Sequence, residues 1–426
     1  MNYVGTARPI HDAKGKATGY TKYAGDLSLP NMAYLCMLHS KIPHGYVKAV
    51  HAEKALALPG VYGVYHCLNT TDRKYNRYRS NFDQSYLPNE ECAFNDYVRF
   101  VGDKIGVVAA CDQETAERAA RLVEVEYEEL PFSIGFDDTL AGKNCLEGET
   151  PVRDEYELDV GEKQGSAEGL IEVCSTMELP RLHHATMETH ACIADYDPYS
   201  DMLTVYCPNQ AVHGIRTVLA DFLEMPESHV RVVKATMGGS FGAKQEWFLE
   251  PVTALVAKKL CRPVKLVYSR GEAMTDTIVR GAMRMSARGY YTPDGEMKEI
   301  YCDVTLDAGA YIGNAGDYVR ALAGKPTRCY RIPYMHYHGQ VISSNSPVSG
   351  AFRSWSAAEE ALMMERQLDA AAEKLGMDRL AIRLKNVARS GEEDKKLHLS
   401  LEDIRIGDAI TLGSEKFGWD KLKAED

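Results

Sequence analysis

Three glycines surround a single phenylalanine in one segment of the chain, and this segment is the first candidate for chemistry. It reads MGGSFGAKQEWFLEP at positions 237–251, with Gly238, Gly239 and Gly242 around Phe241. Glycines placed before a helix let the backbone approach a large polar group, and the free amides there bind anions. An aromatic ring in such a loop is costly unless something packs on it. The spacing leaves two interpretations open, a ligand cradle and a tight structural turn.

Neither of the two common phosphate-binding motifs fits this glycine loop. A P-loop ends in Gly-Lys-Ser or Gly-Lys-Thr, whereas this loop ends in Ala243-Lys244-Gln245. A dinucleotide fingerprint requires G-x-G-x-x-G, and the order Gly-Gly-Ser-Phe-Gly-Ala departs from it. A phosphate-binding nucleotide enzyme is therefore disfavoured.

Other polar and aromatic residues stand out only by their position. Gln210 ends the apolar run DMLTVYCPNQ, where the bland interpretation is an exposed residue at a strand end. Trp355 in AFRSW would on its own most often be a core residue. Arg320, in YVRALAG, is a candidate for contact with a ligand, but an exposed arginine on a loop explains it nearly as well.

Composition limits the class of protein. The chain has 426 residues, 45% of them hydrophobic, and a formal net charge of −12. Such a chain can build a sizeable core and two or three domains, and its charge argues against a nucleic-acid surface or a polybasic membrane anchor. The eleven cysteines form no CxxC pair and no zinc-finger spacing, which favours a reducing compartment. With no signal peptide and no apolar run of about 18 residues, we expect a cytoplasmic protein without nucleic-acid or membrane partners.

The pattern of elements is mixed α/β. Residues 98–112 predict two strands around a Gly-Asp turn, 113–123 a helix capped by Asp112, and 123–131 a half-exposed strand. The polar, glycine-rich segment 136–170 is the best candidate for a domain boundary. A second α/β region follows, in which the glycine loop joins a strand to a helix.

A strong helix is predicted near the end, at 356–376. Ser356 and Glu359 have the spacing of a capping box, and Gly376 suits the C-cap. Its apolar stripe is most simply a core face. The stripe consists of Ala361, Met364, Leu368, Ala371 and Leu375.

Taken together, several segments resemble the molybdenum hydroxylases, the family of xanthine dehydrogenase and aldehyde oxidoreductase. MGGSFGAKQE is similar to the family's Gly-Gly-x-Phe-Gly-x-Lys loop, and the resemblance covers nearly the whole chain in family order. The other matching segments are GKATGYTKYAGDLSLPNMAY, VGDKIGVVAA, EYEELP, RPVKLVYSR, LDAGAY and SGAFRSW. The resemblance implies an α+β fold, with an α/β hammerhead-like domain at 1–140 and the first half of a mixed α/β molybdopterin-binding domain at 150–426.

The resemblance also implies a chemistry. The family hydroxylates a carbon beside a ring nitrogen, or an aldehyde carbon, with water as the oxygen source. The cofactor is molybdenum–molybdopterin, in its simple or its dinucleotide form. Electrons pass through [2Fe-2S] clusters to FAD, both on other domains or subunits. We therefore expect a purine or a related N-heterocycle as substrate, with iron–sulfur and FAD subunits as partners.

Site residues follow from the same resemblance. Gly239, Phe241 and Gly242 would lie closest to the cofactor, and Gln210 aligns with the glutamine that hydrogen-bonds the metal's apical ligand, a task suited to a neutral donor. Arg353 would contact the pterin. The substrate would meet three further residues, namely Gln245, Arg320 and Trp355. In the AFRSW segment, Ser354 and Ser356 replace glycines common in the family.

One family element has no counterpart here. The general base is a glutamate in a Gly-x-Gly-Glu-type motif, and this chain contains no such motif. Glu246 and Glu250 are nearby acids, but neither matches it. We expect no catalytic residue in this chain and a split enzyme, as in some nicotinate dehydrogenases, whose second molybdopterin-subunit half supplies the base. A truncated longer chain is the competing explanation. The alternatives in function are a non-catalytic scaffold or cofactor-insertion homologue and an aldehyde-oxidising member.

Overall fold

The computed structural model describes residues 3–78, 87–146, 148–163, 165 and 168–425, and the side chains of these up to residue 424. Within these described residues, seventeen strands and thirteen α-helices are numbered in chain order. The strands are β1 Ala33–His39, β2 Gly45–His51, β3 Val61–His66, β4 Tyr97–Val98, β5 Lys104–Ala110, β6 Glu124–Glu129, β7 Val152–Gly161, β8 Ile171–Leu179, β9 Ala191–Asp197, β10 Met202–Cys207, β11 Val230–Lys234, β12 Val264–Val267, β13 Ala282–Tyr291, β14 Met297–Asp307, β15 Tyr334–Ile342, β16 Glu393–Asp394 and β17 Leu399–Ser400. The helices are α1 Ala13–Ala17, α2 Glu53–Leu56, α3 Gln113–Ala120, α4 Phe136–Leu140, α5 Val212–Phe222, α6 Glu250–Leu260, α7 Arg270–Thr275, α8 Ala315–Leu322, α9 Pro326–Cys329, α10 Ala357–Leu375, α11 Arg379–Asn386, α12 Ile406–Phe417 and α13 Trp419–Glu425.

The chain forms two units that alternate along the sequence. Unit 1 consists of Met1–Phe132, His183–Val279 and Asn345–Ala351, and unit 2 of Ser133–Leu182, Arg280–Ser344 and Phe352–Asp426. The predicted domains, 1–140 and 150–426, are each continuous in sequence, whereas each compact unit is made of three separate segments. This division into domains therefore stays a prediction.

Unit 1 contains two sheets. The larger has seven strands in the order β11-β10-β9-β12-β1-β5-β3, and the smaller has three in the order β4-β2-β6. Strand β5 is buried along its whole length. Helix α3 begins where Asp112 accepts a hydrogen bond from the Thr115 amide at 2.7 Å, as the sequence predicts for the cap.

Unit 2 is built on a five-stranded sheet in the order β7-β15-β14-β13-β8. One face of this sheet and helix α10 share a core that includes Met364, Leu368 and Ala371, members of the predicted stripe. Leu375 packs at its margin, but Ala361 is exposed and Met363 is buried in its place. The predicted stripe is therefore a core face, but at the start of α10 the buried position is Met363 rather than Ala361.

Helix α4 and strand β7 occupy much of the polar segment 136–170, and its assignment as a domain boundary stays a prediction. One sequence prediction needs correction here. The capping box at Ser356 is absent, because Ser356 has a φ of 65° and makes no side-chain cap hydrogen bond. Gly376 does end α10 in the left-handed conformation, with a φ of 61°.

All eleven cysteines are free thiols. Among the described residues, no helix has both the length and the apolar character needed to cross a bilayer.

Candidate functional site

The glycine loop and Gln210 meet because two parallel strands end side by side. Strands β10 and β11 pair in parallel, with Cys207 opposite Lys234 at their carboxyl ends. Gln210 follows the first strand by three residues, and the loop follows the second. Carboxyl ends of parallel strands lie at the same edge of a sheet, which is where ligands bind in open α/β sheets.

Two hydrogen bonds join Gln210 to the loop, and a third lies within the loop. The Gln210 amide donates to the carbonyl oxygen of Lys244 at 2.8 Å. The Ser240 hydroxyl accepts from the Lys244 amide at 3.1 Å and donates to Oε1 of Gln210. Gln210 itself is exposed. The structure thus brings together Gln210 and the glycine loop, as the sequence predicts.

The loop holds its amides away from protein acceptors. Gly239, Phe241 and Gly242 have φ angles of 104°, 55° and 103°, all in the left-handed half of conformational space. Within the described part of the chain, the amides of the four residues 239–242 donate to no acceptor. Side-chain and main-chain donors in such a loop form a concave surface for electron-rich oxygen or sulfur atoms.

Phe241 is exposed despite its apolar ring. Its side chain is 51% accessible, and its ring lies where a Cβ on Gly239 would be 3.5 Å from Cε2. A left-handed conformation costs a residue other than glycine about 1–2 kcal/mol. A strained, exposed aromatic residue at a strand edge is typical of a ligand site.

A buried ion pair braces the loop from behind. Glu188 Oε2 accepts from the Gly238 amide at 2.7 Å and from Lys244 Nζ at 2.5 Å. The Lys244 side chain is only 1% exposed, and this burial lowers its pKa. A Cβ on Gly238 would lie 2.6 Å from Cβ of Glu188, so glycine is required for this approach. Arg270 fixes the neighbouring segment by donating to the carbonyl oxygens of Thr186 and Met187 at 2.5 and 3.0 Å.

Asn209 and Glu246 tie the two ends of the site together. Asn209 donates to the Glu246 carbonyl oxygen at 2.8 Å and accepts from the Ala211 amide at 2.8 Å. The Glu246 carboxyl is fully buried, and this burial raises its pKa to about 8.

His190 Nε2 donates to the Ala243 carbonyl oxygen at 2.9 Å, and burial lowers the pKa of this imidazole to about 4. Gln245 is half-buried beside them, and its amide donates to the Gly242 carbonyl oxygen at 3.1 Å.

Arg353 and Trp355 belong to unit 2 and lie on an unusual stretch of backbone. Ser354, Trp355 and Ser356 have consecutive φ angles of 84°, 46° and 65°. Lys325 Nζ holds this stretch by donating to the Trp355 carbonyl oxygen and the Ser356 hydroxyl. The Ser356 side chain is thereby engaged, which explains why it does not cap α10.

Arg280 secures the same segment from its other end. Its guanidinium lies 4.1 Å from the ring centroid of Phe352, donates to the Arg353 carbonyl oxygen at 3.3 Å and pairs with Glu359 at 2.8 Å. The Arg353 side chain is exposed. Its contact with the pterin stays a prediction.

Trp355 and Arg320 each have a structural role within unit 2. The Trp355 ring lies 5.2 Å from that of Tyr318 and packs against the core of the unit. Arg320 makes a two-pronged ion pair with Asp154, at 2.6 and 2.8 Å. These contacts favour the bland interpretation of both residues, and their contact with substrate stays a prediction.

Comparisons with known proteins identify the class. Residues 150–387 match the family described as molybdopterin cofactor-binding domain, and residues 18–131 match the α/β hammerhead domain of aldehyde oxidase and xanthine dehydrogenase. The first match spans more than half of the chain. The protein therefore belongs to the molybdenum hydroxylase family, whose cofactor is molybdenum–molybdopterin, and the predicted family and fold class are confirmed.

Two curated relatives show the extent of the likeness. The xanthine dehydrogenase molybdenum-binding subunit of Escherichia coli O157:H7 is 30% identical over 97% of this chain, which spans only 56% of that relative. The nicotinate dehydrogenase large molybdopterin subunit of Eubacterium barkeri is 30% identical over 89% of this chain and 88% of its own length. The chain thus spans about half of one relative and most of the other.

Solved structures agree on the fold. The aldehyde oxidoreductase of Desulfovibrio gigas superimposes with a TM-score of 0.88 and 25% identity, over 99% of this chain and 47% of that one. Quinoline 2-oxidoreductase from Pseudomonas putida 86 gives a TM-score of 0.89 at 23% identity, over 99% and 55%.

The donors of the loop suit the family cofactor. Among the described residues there is no group of three His, Cys, Asp or Glu side chains placed to hold a metal ion. Within the described residues, the donors at this site that lack a protein acceptor are instead the main-chain amides of the loop and Nε2 of Gln210, which bind oxygen and sulfur acceptors rather than metal ions. These residues fit a metal that is held by its own organic ligand.

Sequence reasoning missed the residues that position the loop. Ser240 sits inside the quoted motif, but its contact with Gln210 depends on the fold. Glu188 lies 50 residues before Gly238, in the segment METH, and no local pattern links it to the loop. Such long-range partners carry no signal in a single sequence.

Proposed function

We propose that this chain is the molybdopterin-binding subunit of a molybdenum hydroxylase that hydroxylates a purine or related N-heterocycle with water as the oxygen source. The observation that carries the proposal is the row of four amides at 239–242, beside Gln210, that donate to no acceptor among the described residues. A neutral, preorganised set of donors favours charge that develops on acceptor atoms, and it costs no reorganisation.

Several residues of the site have a stated task in this proposal. The amides of Gly239 and Gly242 and the ring of Phe241 would hold the cofactor, and Gln210 would donate from Nε2 to an acceptor atom of that group. When bound, the molybdenum cofactor supplies the two-electron oxidation. Glu188 and Lys244 hold the loop in place, and Arg353 contributes a further contact to the pterin.

We propose that the substrate is oriented by Gln245, with Trp355 and Arg320 as the further candidates. Two relatives support a heterocycle, since one is a xanthine dehydrogenase subunit and another a nicotinate dehydrogenase subunit. The aldehyde oxidoreductase among the structural neighbours supports the aldehyde alternative.

The proposal includes partner chains. A second molybdopterin-subunit half would supply the general base, and iron–sulfur and FAD subunits would carry the electrons. The 88% coverage of the Eubacterium barkeri subunit supports this division, because a relative of similar extent is itself a separate subunit. The competing explanation remains a piece of a longer chain, like the Escherichia coli relative.

A scaffold or cofactor-insertion homologue is the second candidate. Two features favour it: Ser354 and Ser356 replace family glycines, and the family's general-base motif is absent from this sequence. Both residues nevertheless keep φ angles of 84° and 65°. Retention of a glycine-like backbone at a strain cost supports a working cofactor site over a relaxed scaffold.

The test is elemental analysis of the protein co-purified with its natural partners, followed by a screen of purines, nicotinate and aldehydes. We expect stoichiometric molybdenum, iron and FAD and turnover of at least one heterocycle. Gln210→Ala should lower kcat by about 10²-fold, as the loss of one preorganised donor does elsewhere. A metal-free complex without activity on any of these compounds would refute the proposal.

A further inference from the structure

A carboxamide can serve the proposed function only in one orientation. Nε2 of Gln210 donates hydrogen bonds, whereas Oε1 only accepts them. The two ends have nearly the same size, and Gln210 is exposed, so packing alone does not decide which end faces outward. Some contact must fix the orientation.

The Ser240 hydroxyl provides that contact. Its oxygen already accepts a hydrogen bond from the Lys244 amide at 3.1 Å, and its hydrogen is donated to Gln210 Oε1. The Ser240 side chain is 9% exposed, which limits competition from water. Within the described residues, Ser240 is the one donor to Oε1, and Nε2 has no acceptor in the chain.

The backbone holds both partners in register. The Gln210 amide donates to the Lys244 carbonyl oxygen at 2.8 Å, and the Ala243 amide donates to the Ser240 carbonyl oxygen at 2.9 Å. The hydroxyl and the carboxamide are therefore placed by the same turn that shapes the cradle.

We propose that Ser240 is a positioning residue that locks the Gln210 carboxamide with Nε2 free, so that the loop presents its side-chain donor together with its main-chain donors. This inference rests on the proposed function. Loss of the hydroxyl frees the carboxamide to rotate, so that only a fraction of molecules presents a donor at any moment. We expect a cost of about tenfold in kcat, as for a hydrogen bond that acts by orientation.

The experiment compares Ser240→Ala and Ser240→Thr in the purified complex, with Ser414→Ala on helix α12 as the matched control. The readouts are kcat, KM, molybdenum content and the molybdenum electron paramagnetic resonance spectrum of the partly reduced complex. We expect Ser240→Ala to lower kcat about tenfold and to alter the spectrum, with KM and molybdenum content within twofold of wild type. Ser240→Thr should restore both, since it keeps a hydroxyl.

Three results would overturn the inference. The first is a Ser240→Ala complex with wild-type kcat and spectrum, the second is a Ser240→Thr complex as impaired as Ser240→Ala, and the third is a loss of molybdenum in Ser240→Ala, which indicates a merely structural role. Should Ser240→Ala not fold, Ser240→Gly removes the same hydroxyl and is judged by the same readouts. A wild-type complex without molybdenum contradicts the proposed function instead, so the two failures are distinct.

Discussion

At the scale of single residues, the site is marked by backbone conformations that its side chains disfavour. Phe241 has a φ of 55°, and Ser354, Trp355 and Ser356 follow one another at 84°, 46° and 65°. Strain of this kind persists only where surrounding contacts enforce it. Here those contacts are visible, namely the Glu188–Lys244 ion pair behind one segment and Lys325 beneath the other.

The φ of Gly239 gives a direct test of the loop. Gly239→Ala places a Cβ on a residue with a φ of 104°, and we expect this to cost about 1–2 kcal/mol and a few degrees of melting temperature. Gly413→Ala is the control, because Gly413 lies in helix α12 with nothing within 4 Å of the added Cβ. It should stabilise the chain by about 0.5–1 kcal/mol. Equal effects on melting temperature would contradict the assigned loop conformation.

At Ser354 the opposite substitution, of a side-chain residue by glycine, tests the strain in the second segment. Glycine adopts a φ of 84° without steric cost, so Ser354→Gly should raise the melting temperature, with a gain of up to about 1 kcal/mol. Ser414→Gly, in the interior of α12, should lower it by a similar amount. Thermal denaturation of the two variants beside wild type checks both signs. A destabilised Ser354→Gly variant would show that the serine is held by contacts worth more than its strain.

At the scale of elements, the glycine loop depends on a buried ion pair that spans two segments. Removing one partner leaves the other charge buried and alone, which typically costs 3–5 kcal/mol. The pair is almost fully buried, so screening by solvent is weak. We expect Glu188→Gln and Lys244→Met each to destabilise the chain strongly.

A double-mutant cycle separates the ion pair from general packing. The combined Glu188→Gln and Lys244→Met variant should lose less than the sum of the single losses, because no charge is then left unpaired. Melting temperatures of all four proteins measure the coupling. Strictly additive losses would mean that the two side chains do not act together on the loop.

Local patterns predicted several elements, because these elements depend on neighbours in sequence. Residue spacing alone predicts the Asp112 cap, strand β6 and helix α10. The capping box at Ser356 failed because Lys325, 31 residues earlier, takes its hydroxyl and the backbone turns left-handed. Strand β7 was hidden because it pairs with the distant strand β15, while its exposed positions are acidic.

The sequence predicts only those parts of the site that belong to a local motif. Gln210 and the loop meet at the ends of two parallel strands, an arrangement that sequence order and strand pattern can indicate. The roles of Ser240 and Glu188 depend on side-chain directions after folding, which no spacing encodes. Arg320 pairs with Asp154, 166 residues away, a contact that no spacing indicates, and its contact with substrate stays a prediction.

At the scale of the whole molecule, unit 1 carries buried charge that makes its stability depend on pH. Burial raises the pKa of the Glu246 carboxyl to about 8, while Arg77 opposes the rise and Glu91 adds to it. The folded state therefore holds a proton between about pH 4.5 and 8 that the unfolded state releases. The stabilisation from this proton is complete below pH 4.5 and is lost as the pH rises through 8.

Glu246→Gln tests that dependence, since the amide cannot titrate. Relative to the variant, the free energy of unfolding of wild type should fall by up to about 1.4 kcal/mol per pH unit between roughly pH 4.5 and 8. Melting temperatures from pH 5 to pH 8 should therefore shift in favour of Glu246→Gln as the pH rises. The exposed Glu129→Gln serves as the control and should follow wild type. Parallel curves for wild type and Glu246→Gln would show that Glu246 is ionised in the folded chain, with Arg77 as the dominant influence on its charge.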